Sequence, residues 1–307
     1  MVDRLAGARN GNAAGTRSST AASGAAVKRT HERQKRPAVG ELMGGHDHFE
    51  LAIGIDYSGA KTPLSRSAAL QVYKALPGSV PRIVTSPASS DNRKRHWNRK
   101  EIAWWLAEQL QQQRRLIVAI DHGFSFPVDY FQRNQLRDWH QFLEDFVTHW
   151  PTRDETVSID DLRANENSLA QRRRGSSREL RLTEAWSGSA KSVFQFDVQG
   201  SVAKSTHAGI PWLHWLRAQF QHQIHWWPYD GWEPPQGKSI FCEGYPTLLR
   251  KRYPREGRSA DQHDAYCLAA WLRRLVDQQT LGRYLNVPLT DQEREIARRE
   301  GWILGVL

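Results

Sequence analysis

Apolar and polar positions change period several times along the chain, and each change predicts an element. In the stretch 50–60, ELAIGIDYSGA, alternation puts Leu51, Ile53 and Ile55 on one side and Ala52, Gly54 and Asp56 on the other. That pattern predicts a strand that stops at a carboxylate and turns on small residues. The runs at 67–75 and 82–86 are rich in β-formers and flank Pro77-Gly78, a turn signal, so an antiparallel meander follows. The period then lengthens. Asn98 with Glu101 three residues on forms a capping box, and Ile102, Trp105, Leu106 and Leu110 share one face of a helix predicted over 99–113. LIVAID, ending at Asp121, is a continuous apolar run before His122-Gly123 and predicts a strand buried on both faces.

From 128 to 237 the pattern is helical and irregular. Leu136, Trp139, Phe142, Leu143, Phe146 and Trp150 fall at helical spacing, as do Trp212, Trp215, Leu216 and Phe220. SIFCE, ending at Glu243, returns to a central strand, and the closing helix carries Ala265, Leu268, Leu272 and Leu275 on its apolar face. The expected architecture is α/β, a mixed sheet flanked by helices, with a helical insertion between the fourth and fifth strands. No fixed-period repeat is visible, which argues against solenoids and propellers.

Composition changes this picture at the N-terminus. Residues 1–46 are rich in Ala, Gly, Ser and Arg and poor in large apolar side chains, so they predict a disordered basic tail ahead of a folded domain over 47–307. The 307 residues carry a net charge of +10, but the tail holds half of it, leaving the body only mildly basic. Cys242 and Cys267 are the only cysteines and both lie in apolar runs, which argues against a disulfide framework or a thiolate zinc site and for a reducing cytoplasm. No apolar run reaches the roughly 18 residues of a transmembrane helix, and no signal-peptide core follows the N-terminus.

Candidate chemistry rests on acids at element ends. Asp56, Asp121 and Glu243 each close a strand, and Asp261 and Asp264 stand three apart on one face at the start of the last helix. Asp is a poor strand former, and an unpaired carboxylate at an interior edge is costly, so this placement predicts one metal-binding edge of the sheet. Each acid alone has a plainer reading as a turn former or a partner of the helix dipole. His122 and His263 adjoin the acids and are candidate proton carriers or simple hydrogen-bond partners. The basic segment Arg93, Lys94, Arg95, Arg99 and Lys100, and a mobile basic loop over 163–181 that holds Arg172, Arg173, Arg174 and Arg181, are candidate phosphate contacts or simply solvated runs. Trp226, Trp227, Tyr229 and Trp232 could stack exposed bases or pack over the core.

The motifs GIDYSGA, AIDHGFSFP, EGYPTLL and DQHDAYCLAAWL, with the terminal EGWILG, resemble domain-of-unknown-function family 429. That family is regarded as predicted nucleases of the ribonuclease H-like fold, and the resemblance covers about 49–307. It implies a βββαβαβα-like core with an acidic edge binding Mg²⁺ or Mn²⁺, and phosphodiester hydrolysis of DNA or RNA. Asp56 matches the first-strand acid of that fold, Asp264 and Asp261 resemble its helix acids, and Asp121 and Glu243 match its strand-end acids. The insertion with its Arg-rich loop departs from the pattern. Two other classes stay open at this point: a nucleic-acid-binding module without catalysis, and an ATP-dependent kinase of the actin and sugar-kinase group, whose phosphate loops also resemble GIDYSGA. No GxxxxGK[ST] loop is present to favour the kinase.

Overall fold

The computed structural model describes residues 48–87, 96–198 and 201–307; the basic tail and the predicted phosphate contacts Arg93, Lys94 and Arg95 lie outside them. β1 (Leu51–Asp56), β2 (Gln71–Ala75) and β3 (Arg82–Val84) form the expected antiparallel meander. α1 (Arg99–Gln111) starts at the expected capping box: the Asn98 side chain accepts from the Glu101 N–H while the Glu101 carboxylate accepts from the Asn98 N–H. β4 (Leu116–Asp121) then runs parallel to β1. The insertion holds α2 (Val128–Arg133), α3 (Trp139–His149), α4 (Ile159–Ala164), α5 (Leu182–Ser187) and α6 (Ala203–Phe220).

β5 (Ile224–Trp226) and β6 (Ser239–Glu243) follow, then α7 (Ala260–Asp277), α8 (Leu281–Leu285) and α9 (Asp291–Glu300). The six strands order β3-β2-β1-β4-β6-β5, with β1, β4, β6 and β5 mutually parallel. The sheet is thus mixed and helix-flanked as expected. It has one strand more than the sequence predicts, because β5 lies inside the insertion, and three residues are too few for alternation to show. Nor does α7 close the chain. Ile303, beyond α9, makes a parallel bridge to Glu243 at the carboxyl end of β6.

Strand parity divides the core. Leu51, Ile53, Ile55, Leu116, Val118, Ile120 and Phe241 face the insertion side with α1, α3 and α6. Ala52, Ile117, Ala119, Ile240 and Cys242 face α7 and the C-terminal segment. β4 is therefore buried on both faces, as its unbroken apolar run requires. The aromatic stretch after α6 belongs to the core: Trp226 and Trp227 are fully buried, and Tyr229 stacks on Trp139 at 3.9 Å. These rings are closed to a nucleobase; only Trp232 keeps partial exposure, and it packs against Trp227. No helix among the described residues is long and apolar enough to cross a membrane.

Candidate metal centre

Parallel pairing of β1 and β4 sets Asp56 beside Asp121 in register, so both carboxyl groups leave the same face at the carboxyl ends of their strands. α7 crosses that face. Its start is fixed by a second capping box, Ser259 with Gln262, and its approach is set by Gly54. A Cβ at Gly54 would stand 2.2 Å from the Ala265 carbonyl oxygen and 2.4 Å from the Ala269 nitrogen, so the helix backbone rests directly on β1. That contact brings Asp264 to the strand ends. Asp56, Asp121 and Asp264 each offer an oxygen, and these three atoms lie within 4.8 Å of one another.

Each acid is differently partnered. Asp264 accepts from Arg250 Nε at 2.6 Å and from Nη2 of the same guanidinium. Asp56 is 8% exposed, and its only polar partner among the described residues is the Asp121 carboxyl. Burial, then repulsion from Asp121, Asp264 and Asp261, holds Asp56 far above the ordinary carboxylate range. Asp121 moves in the same direction through burial and the Asp264 charge, with Arg250 opposing. Such a trio is relieved either by shared protons or by a cation, and it could hold a metal ion. Asp261, half-buried at the rim one turn earlier, is raised by burial and by Asp264 but lies outside the trio. The acids line a cleft of about 510 Å³ that also takes in Tyr57, Ser205 and Arg250.

Glu243 lines the same cleft as these acids but stands apart from the convergent trio. It pairs in register with Ile120, not Asp121, so its side chain leaves the opposite face of the sheet. There both its oxygens are bound by Arg181, at 2.7 and 2.5 Å, and one also accepts from the Phe124 N–H at 3.1 Å. Its carboxylate is engaged in a buried ion pair instead of converging with Asp56, Asp121 and Asp264. Arg181 is equally displaced from its expected place on a mobile loop. It is 1% exposed, and it also donates to Glu184 at 2.9 Å and to the Glu300 carbonyl. The signal was present in the sequence as Arg181 and Glu184 at the i, i+3 spacing.

The other basic candidates divide the same way. Arg99 is buried at the start of α1 and donates to the carbonyls of Ser58, Ala60 and Lys61, so it braces the loop after β1 instead of reaching solvent. Lys100 pairs with Glu155 at 2.6 Å. Arg173 ends a 3₁₀ turn (Leu169–Arg173) and grips Asp145 with Nε and Nη2, leaving Arg172 and Arg174 as the exposed members of that run. The Arg174 Nη2 still reaches the Arg163 carbonyl at 3.2 Å.

Both histidines serve the framework. His122 is buried, donates from Nδ1 to the Gly123 carbonyl and packs its ring over Gly209, where a Cβ would come within 2.3 Å. Burial pushes its pKa down to about 4, so it stays neutral near pH 7. His263 donates from Nε2 to the Arg250 carbonyl at 3.3 Å and ties the Arg250 backbone to α7. Arg250 itself carried no signal in the sequence, since LLRKRYP gives no period to single out one of its three basic residues. Set against protein-family models, curated proteins and solved structures, the chain matches none of the three.

Proposed function

We propose that this protein is a divalent-cation-dependent nuclease, hydrolysing phosphodiester bonds of DNA or RNA at the Asp56, Asp121 and Asp264 trio. The observation that carries the reading is Asp56: a buried carboxyl group that no N–H or O–H donor of the described residues serves, beside two further carboxyl groups. An interior carboxylate without a donor is costly unless protonated or bound to a cation. All three donors are oxygens, the ligand set of hard cations, so Mg²⁺ or Mn²⁺ fits better than Zn²⁺. When bound, such a cation supplies Lewis acidity toward a phosphoryl oxygen and a more acidic water.

The chain's own residues hold and orient. Asp56 and Asp121 are fixed by the β1–β4 ladder, Asp264 by the seat of α7 on Gly54, and Asp261 stands at the rim as a further oxygen donor. The meander, the parallel β4 and β6, and an acid-bearing helix across β1 support a ribonuclease H-like core and the resemblance to family 429. The single six-stranded sheet of the described residues speaks against the actin and sugar-kinase reading, because those proteins duplicate their fold. Arg172 and Arg174 are the exposed candidates for phosphate contact.

The test is cleavage of single-stranded, duplex and branched DNA and RNA with Mg²⁺ or Mn²⁺, using wild type, Asp56→Asn, Asp121→Asn and Glu243→Gln. Cleavage should need the cation and fall by at least about a hundredfold in the two Asn variants. Glu243→Gln should retain the Mn²⁺ affinity of wild type. Cation-dependent binding without cleavage would favour the binding module, and equal cleavage by wild type and Asp56→Asn would refute the site.

A further inference from the structure

We infer that Arg250 is a built-in stand-in for the cation: it neutralises Asp264 in the metal-free protein and must leave that carboxylate when a divalent ion enters. The inference rests on the cation reading of the trio and goes beyond it by assigning the residue that competes for the site.

The geometry supports exchange in three ways. The guanidinium faces Asp264 with Nε and Nη2, a two-point grip that engages both carboxylate oxygens, so Asp264 cannot present them freely to an ion while the grip holds. The side chain is nevertheless half exposed and sits in the cleft, where its charged end can turn to water without breaking the fold. Its backbone is anchored elsewhere, since the Arg250 carbonyl accepts from His263 on α7. A fixed backbone with a solvent-facing head is how a side chain can let go without moving its neighbours.

Charge gives the direction. Asp56, Asp121 and Asp264 all act on Arg250 electrostatically, so one positive charge faces three carboxyl groups. A divalent ion brings two positive charges to the same oxygens and leaves the guanidinium facing a site that no longer needs it. Released into the cleft, Arg250 carries its positive charge to the side from which a phosphodiester would approach. The exchange keeps the metal-free protein from holding three uncompensated acids, and it lowers cation affinity by the work of displacing the pair.

Calorimetric titration of Mn²⁺ at pH 8 into wild type, Arg250→Gln, Arg250→Lys and Asp56→Asn tests this, with circular dichroism confirming that each is folded. Arg250→Gln should bind Mn²⁺ about tenfold more tightly than wild type, because a unit charge a few ångströms away no longer opposes the ion. Arg250→Lys keeps the charge but loses the two-point grip and should fall between them; should the Gln variant fail to fold, this variant carries the test. Affinity in Arg250→Gln equal to or weaker than wild type, with Asp56→Asn still abolishing binding, would overturn the exchange and leave the cation site standing. Absence of Mn²⁺ binding in wild type and both Arg250 variants would overturn both.

Discussion

Gly54→Ala perturbs the site without touching any acid. The added methyl would lie 2.2 Å from the Ala265 oxygen, 2.4 Å from the Ala269 nitrogen and 2.7 Å from the Leu268 Cβ. Two of these three atoms are helix backbone, so no side-chain rotation relieves them. α7 must move off β1 by about 0.8 Å to bring the nearest contact from 2.2 to 3.0 Å. Overpacking of this kind costs about 1–3 kcal/mol, read as a lower midpoint in urea unfolding. Asp264 travels with the helix, and cation sites tolerate ligand displacements of only about 0.2 Å, so Mn²⁺ affinity should fall by at least about tenfold. Calorimetry and urea unfolding on the same variant measure the two effects together. A variant within about 0.5 kcal/mol of wild type that binds Mn²⁺ equally well would show that the α7 seat does not set the acid spacing.

Three further outcomes follow from the same contacts. Arg181→Met leaves Glu243 and Glu184 buried without their counter-ion and should cost about 3–5 kcal/mol at pH 8. An unfolding free energy in urea within about 0.5 kcal/mol of wild type would argue against the buried pair. In EDTA, the melting temperature should fall as pH rises above 6.5, because Asp56 and Asp121 have folded pKa values raised above the unfolded 3.8, so the folded state holds protons that alkali removes. Glu184 and Glu300 act in the same direction, while neutral buried His122 and His207 oppose it only below their ordinary 6.5. Asp56→Asn should flatten the alkaline fall, and an unchanged slope would count against it. Finally, Arg172→Ala with Arg174→Ala should lower the salt slope of single-strand binding by up to about 1.4 with no loss of stability. Arg173→Ala should instead destabilise, by freeing Asp145 beneath Tyr130; a reversed pattern in melting and salt titration would reassign the run.

Much of the framework was legible because its signals are local. The Asn98–Glu101 box, the two-sided apolar run of β4 and the alternation of β1 each depend on a few neighbouring residues, and each element stands where its pattern put it. β5 was not legible, since Ile224–Trp226 is short and lies among aromatic residues that read equally well as cover. The sorting of the basic loop is hidden for a related reason. Composition counts Arg181 with Arg172 and Arg174, but one is sealed among carboxylates and the others face water. Which of them is buried depends on Glu243, 62 residues away, and no local pattern carries that.

Glu243 shows where reading acids at strand ends reaches its limit. In LIVAID, the residues facing α7 are Ile117, Ala119 and Asp121; in SIFCE they are Ile240 and Cys242, which leaves Glu243 on the far side. Both faces of both strands are apolar, so alternation within SIFCE does not say which face belongs to which layer. Only the register, Ile120 opposite Glu243, decides it. A slip of one residue would have placed Glu243 beside Asp121. The same ladder therefore sorts like residues into unlike tasks: on one face, three carboxyl groups that a cation could bridge, and on the other, an acid whose charge Arg181 already cancels. That division predicts opposite responses to neutralisation, with Asp121→Asn removing Mn²⁺ binding while sparing the fold and Glu243→Gln weakening the fold while sparing Mn²⁺ binding. Paired calorimetry and unfolding would refute the assignment of faces if both variants behaved alike.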